Sequence, residues 1–408
     1  MLKNIMVFIP AVVCGFRLKY RAKCQMLTQT EATVVPRGRT AVKDLSSMRI
    51  VCQTFCILLA VCLNLTSVNA LETRSVAEFG ADGAGDDTDS IQQAIDFAVA
   101  NPCRLVFPAP SYTVSKTLRI RNPGNTRASG PVLAGRGAEA TSIQFKGKSG
   151  PLFQVTGVIA AGQFLHDLGF ERLKLVGSFR DSDEHAIQLM GCYAPSIHQL
   201  AVTGFGGDGI RVNGDLSIDT NPDFTATIFL SVEGCHIYRI GGLGFRDDHP
   251  IGCPGVSIRR SVFNLCGGGG ALIRSAAFEV EQTAFSGCGC SSETEVKNAE
   301  AIGLQVKTPG GSLSRGLLRA CEFDTNRGEH LRMDNFAMAR LENNRFIYDD
   351  RYHIGVLCPP VGANMAPQGP ESVLTEIVID GLFHRVDGKG KGRRNPVVEF
   401  SECRRNID

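Results

Sequence analysis

From Leu168 onward, apolar residues return in one frame: apolar, any, apolar, two of any kind, small or apolar, any, apolar. It reads Leu168/Phe170/Leu173/Leu175, Pro195/Ile197/Leu200/Val202, Leu230/Val232/Cys235/Ile237 and Val256/Ile258/Ser261/Phe263. It goes on at Phe278/Val280/Thr283/Phe285, Gly316/Leu318/Cys321/Phe323 and Ala339/Leu341/Asn344/Phe346, with Ile377/Ile379/Leu382/His384 as a degenerate last copy. The closing positions are 27, 35, 26, 22, 38, 23 and 38 residues apart. A period in the twenties with insertions predicts a β-solenoid, whose coils cannot bury an inner face alone and must stack. A sandwich also has many short strands, but it needs antiparallel hairpins joined by tight turns. The constant phase of the inner positions favours the solenoid.

Between the copies runs a second short strand: Ala186–Leu189, Gly209–Val212, Phe245-Arg246, Ala271–Arg274, Ile302–Val306 and Leu331–Met333. Side chains alternate across a strand. With Ile210 and Val212 inside, Arg211 faces out, and the same phase exposes Gln188, Arg246, Arg274, Gln305 and Arg332. Stacked coil on coil, these predict an outward, mostly basic ladder.

Upstream, Ser75–Phe79 predicts a short strand ending at Gly80, and Asp82–Asp89 a Gly/Asp-rich turn. Asp87 or Thr88 is placed to cap a helix with Ile91, Ala94, Ile95, Ala98 and Val99 at helical spacing, ended by Asn101-Pro102. Leu105–Phe107 and Tyr112–Ile120 predict strands around a Pro108-Ala109-Pro110 corner. Four pieces, in order over this stretch, carry a resemblance: Phe79-Gly80-Ala81; the Gly83–Thr88 turn with Asp86-Asp87-Thr88; Ile91-Gln92-Gln93-Ala94-Ile95; and Phe107-Pro108 through Tyr112. Together they resemble the opening motif of the pectate lyase superfamily, the single-stranded right-handed parallel β-helix proteins that include rhamnogalacturonase-like, epimerase-like and phage tailspike members. The resemblance implies an all-β right-handed parallel β-helix with an N-terminal capping α-helix, and a polysaccharide as partner. Pro110-Ser111 departs from the Gly-Thr usual there. The groove motifs are mostly missing: Gly-His-Gly, Asn-Thr-Asp and the epimerase Asp-Pro-His-Asp are absent, and only an Asp-Asp is matched, at Asp247-Asp248. The resemblance therefore implies the fold and a carbohydrate bias, and hands over no catalytic set.

The net charge of +2 over 408 residues favours neither nucleic acid nor a membrane surface. Met48–Ala70 has one Arg, an apolar core at Ile57–Leu65 and small residues at its end, the layout of a secretory signal peptide cleaved after Ala70. Its apolar run is shorter than the ~20 residues of a membrane span. Residues 1–47 then lie outside the mature protein, 48–70 form the signal, and 71–408 the β-helix domain, secreted or periplasmic and not inserted in a membrane. Of 15 cysteines, five precede the cleavage point, and export permits disulfides. Cys235 and Cys321 fall on inner positions. Cys266 and Cys288 follow successive copies at the same offset, and adjacent strands are ~4.8 Å apart, so these two are expected to pair or to stack. No Cys-x-x-Cys spacing suggests a metal site.

An outward row of guanidinium groups suits a uronic-acid polymer, because each fork grips a carboxylate with two hydrogen bonds; long charged residues also simply solubilise strand faces. Arg211, Arg274, Arg332, Gln305 and Gln188 are the candidate substrate-binding residues. Acidic and imidazole groups flank the same strands: Asp183-Glu184-His185, Asp208, Asp247-Asp248-His249, Glu329-His330 and Asp334. Arg246, Asp247, Asp248 and His249 form the candidate catalytic set. Hydrolysis of a glycoside needs two carboxylates about the bond; elimination from a uronate needs its carboxylate neutralised and a base for the C5 proton. The sequence establishes no cofactor. Ca²⁺ stays open, since only Asp247-Asp248 or the Asp181-Asp183-Glu184 turn offers a start for an oxygen shell. A lyase or glycosidase acting on an acidic polysaccharide is the first expectation. A non-catalytic polysaccharide-binding or adhesin-type surface protein is the second, and a surface protein without a ligand the third.

Overall fold

The computed structural model describes residues 71–408 except 125–126, 158–162, 180–182, 214–224, 276, 290–300, 308–314, 335–337, 348–353, 358–375, 381–382, 386–397 and 402–408. Residues 1–47 and the expected signal segment 48–70 lie outside the described residues.

Among the described residues the strands form three long parallel sheets of 11, 10 and 10 strands and a fourth of three. Each coil contributes one strand to each long sheet, so the chain is a right-handed parallel β-helix. The recurring inner positions are in register. In the first sheet Phe170 pairs with Ile197, Ile197 with Val232, and the line runs on through Ile258, Val280, Leu318 and Leu341 to Ile379. In the second sheet the line is Leu175, Val202, Ile237, Phe263, Phe285, Phe323, Phe346 and His384. Phe263, Phe285, Phe323 and Phe346 stack face to face inside it, at centroid distances of 5.2, 5.2 and 4.8 Å. The stack extends further back than the repeat frame indicates: Leu133 and Leu105 continue the first line, and Ile143 and Tyr112 the second.

The lower end is closed by helix α1 (Thr88–Ala100), whose buried face is Ile91, Ala94, Ile95, Ala98 and Val99. Gln92 docks it to the first coil, its amide giving to the Arg119 carbonyl and taking the Arg119 N–H, both at 2.8 Å. Two local expectations change. The strand is Glu72–Ser75, and Val76–Phe79 is a 3₁₀ turn. Ser75 and Glu78 form a capping box there, and Gly80, at φ 91°, ends it. Asp87 occupies the N-cap of α1 without a capping bond from its side chain. Its carboxylate instead accepts the Asp82 and Gly83 N–H groups at 3.1 Å, which makes it the clasp of the acidic turn.

Cys235 and Cys321 are buried in the core. Cys266 and Cys288 are buried free thiols and form no disulfide. Each sulfur turns to backbone carbonyls, Cys266 to Ile237 at 3.8 Å and Cys288 to Phe263 at 4.0 Å.

The fourth sheet is short: Arg127–Ser129, Phe164–His166 and Cys192–Tyr193. It lies in the chain between the third sheet and the next strand of the first.

Candidate functional site

The third sheet carries the basic row. Ile210–Asn213 pairs with Leu243–Asp247, matching Ile210 to Phe245 and Val212 to Asp247 inside, and Arg211 to Arg246 outside. Both arginines meet one carboxylate. Arg211 Nη2 reaches Asp248 Oδ2 at 2.9 Å, and Arg246 Nε lies 2.8 and 2.7 Å from the two Asp248 oxygens. Beneath them are two buried groups from the preceding turns. His185 Nε2 is 2.8 Å from Arg211 Nη1. Asp208 gives its backbone N–H to His185 Nδ1 at 2.8 Å, and its Oδ1 accepts the Leu243 N–H at 2.8 Å. Asp208 Oδ2 is buried without a hydrogen bond; Arg246 Nη1 is 3.9 Å away and His185 Nδ1 3.5 Å.

Burial, helped by the Arg211 charge, lowers the His185 pKa to about 4, so the ring is neutral at pH 7. A neutral imidazole has one acceptor nitrogen. Both ring nitrogens face N–H donors, Nδ1 the Asp208 backbone and Nε2 the Arg211 guanidinium, so the neutral ring can accept from only one of them at a time. Burial also raises the Asp208 pKa. Two arginines meet a single exposed-side carboxylate, Asp248, and the arrangement suits an additional anionic oxygen.

Asp247 and His249 do not join this cluster, although they stand beside Asp248 in the chain. Both are 0% exposed. Asp247 points into the coil and its two oxygens accept the His249 and Cys253 N–H groups at 3.1 and 2.7 Å; burial raises its pKa to about 7. His249 Nε2 lies 3.0 Å from the Thr225 hydroxyl. Of the expected catalytic set, Arg246 and Asp248 face outward. His185 and Asp208 belong to the cluster, and nothing in the sequence separates them from the other polar residues at strand ends.

In the row itself Gln188 pairs with Arg211, then Arg246 with Leu272, Leu272 with Gln305, and Gln305 with Arg332. Arg274 is two residues out of line and pairs with Lys307, because the inner match of Phe245 to Ala271 sets Leu272 beside Arg246. It shares the face but stands in the next row. Arg332 has Glu329 at 3.9 Å. His330 is buried, with Nδ1 3.0 Å from Asn326 and Nε2 3.1 Å from the Ile347 carbonyl. Glu184 is buried and takes the Ser178 N–H and hydroxyl at 2.8 Å. Asp181 lies outside the described residues. Among the described residues no three His, Cys, Asp or Glu side chains gather as a metal site. Asp247 and Asp248 do not fit Ca²⁺: one faces inward onto backbone N–H groups, and the other is held by two guanidinium ions.

No protein-family model and no curated protein matches the sequence. Solved structures do. The Agl-KA catalytic domain superposes with a TM-score of 0.56 at 16% identity, over 76% of this chain and 54% of that one. The enzymatically active domain of tailspike protein 2 from bacteriophage CBA120 does so with a TM-score of 0.54 at 10% identity, over 77% and 43%. The A-module of a mannuronan C-5 epimerase from Azotobacter vinelandii aligns over 81% and 100%, at 16% identity and a TM-score of 0.48. The chain is a parallel β-helix. This β-helix spans about half of the Agl-KA domain and less than half of the tailspike domain.

Proposed function

We propose that this β-helix is a carbohydrate-active protein that seats the carboxylate of an acidic, uronate-containing polysaccharide on its third sheet, and that it is a polysaccharide lyase. The observation that carries the reading is the excess of positive charge at one point: the Arg211 and Arg246 guanidinium groups around the single open carboxylate of Asp248. A uronate carboxylate placed there is neutralised, which acidifies the proton on the adjacent C5, and the same donors stabilise the enolate that forms. Asp248 is the base on the open side. It takes the C5 proton, the C4–O bond breaks, and the leaving oxygen is protonated from water. Hydrolysis is less well supported, because it needs two carboxylates open to the substrate and Asp208 is 2% exposed. Two structural neighbours, the Agl-KA catalytic domain and the enzymatically active domain of tailspike protein 2, are in keeping with an enzyme on this scaffold.

Incubation with a panel of polyuronates tests the reading. Ultraviolet absorbance of the unsaturated product should rise together with reducing ends, and Asp248→Asn should slow both by a factor of about 10² or more. Reducing ends without absorbance would replace the lyase by a hydrolase. Silence on both, with binding retained, would leave a binding protein. The reading also puts the protein outside the cytoplasm, on Met48–Ala70; a mature N-terminus at Leu71 is the expected result of sequencing the exported chain.

A further inference from the structure

Beside the basic row, on the next face of the coil, three rings follow one another up the stack. His166 and Tyr193 are paired residues of the fourth sheet, and Ile228 bridges to Tyr193 in the coil above, with Phe229 following it. The His166 and Tyr193 rings are 4.9 Å apart, and Tyr193 and Phe229 meet edge to face at 5.6 Å. The three coils are those that carry Gln154, Gln188 and Arg211 on the third sheet.

Phe229 is not required by the fold. Its backbone is left-handed, at φ 57°, and so are its counterparts one and two coils below, Ala194 at 52° and Asp167 at 56°. The turn is thus made equally by Ala and Asp, yet here it holds a phenyl group that is 54% exposed. The ring is seated all the same. It lies over Gly255, where an added Cβ would come within 2.5 Å of it.

We propose that His166, Tyr193 and Phe229 form a platform for the apolar faces of sugar rings, about one ring per coil, flanking the carboxylate seat. The C–H face of a pyranose packs on an aromatic face, while its hydroxyl groups stay at the rim, within reach of an imidazole and a phenol. A protein partner fits less well. A stable interface takes about 800 Å² from each side with a hydrophobic centre, and among the described residues Phe229 and Leu71 are the exposed large hydrophobic side chains. The proposal rests on the carbohydrate reading, and it does not depend on which residue is the base.

The chain has no Trp, so Phe229→Trp installs a single reporter on the platform. Short oligogalacturonate and oligomannuronate are titrated into it, with binding heats followed in parallel for the wild type, Phe229→Ala, Tyr193→Ala and Arg211→Ala, each checked for unchanged circular dichroism. Tryptophan emission should change on saturation, and the two aromatic deletions should each weaken binding about three- to tenfold. If Arg211→Ala weakens binding while Phe229→Ala binds like wild type and the emission stays flat at saturation, the platform is wrong and the carboxylate seat stands. If the wild type binds neither oligomer, the carbohydrate reading falls and takes the platform with it.

Discussion

His185 stands between the Asp208 backbone N–H and the Arg211 guanidinium. Nitrogen-15 NMR should show a neutral ring throughout the neutral range, and His185→Gln, which keeps a polar partner for Arg211, should retain more activity than His185→Ala. Stability gives a second check. The folded pKa of about 4 lies below the ordinary 6.5. Between those values the unfolded chain binds more protons, so this contribution is whole above pH 6.5 and is lost as the pH falls toward 4. Asp247, raised to about 7, acts oppositely: its contribution is whole below about pH 4 and is lost as the pH climbs to 7. Between about pH 4 and 6.5 the two contributions oppose each other, so His185→Gln, left with the Asp247 contribution, should lose less stability on acidification than wild type in denaturant unfolding. At this scale the sequence is an incomplete guide. It names Asp247, Asp248 and His249 as neighbours, whereas strand alternation sends Asp247 to the core and Asp248 to the groove, and only the coil geometry brings His185 and Asp208 to them.

At the scale of the strand, phase is legible and register is only partly so. The apolar frame gives the inner lines of the first two sheets correctly from Phe170 and Leu175 on, since each inner residue must meet another. The outer row depends on how many residues each turn consumes, and the glycine run before Ala271 shifts Arg274 out of line. Replacing Arg274 by Ala should consequently weaken polyuronate binding less than replacing Arg211, a comparison that titration calorimetry makes directly. The early coils escape the frame because Leu133 and Ile143 sit in strands joined by turns of different length from the later ones.

Over the whole molecule, cohesion comes from like residues stacked on like along the axis. Phe285 lies between Phe263 and Phe323 with both rings near 5 Å, so Phe285→Ala should cost about 3–5 kcal/mol in denaturant unfolding. Cys266 and Cys288 should resist thiol reagents in the folded protein and react once it is unfolded, as their burial requires. The overall architecture was readable because repetition multiplies a weak signal. The site was readable in part: strand phase puts Arg211 and Arg246 on the outer face, while their meeting with His185 and Asp208 is made where three successive coils coincide.

Arg211 and Arg246 are 35 positions apart in the chain and one strand apart in space. Distance at the site is therefore counted in coils, a ruler with a fixed graduation of about 4.8 Å. Residues added to a turn leave that graduation untouched, so the protein is free to reshape the walls of its groove by insertion while the two guanidinium groups keep their interval.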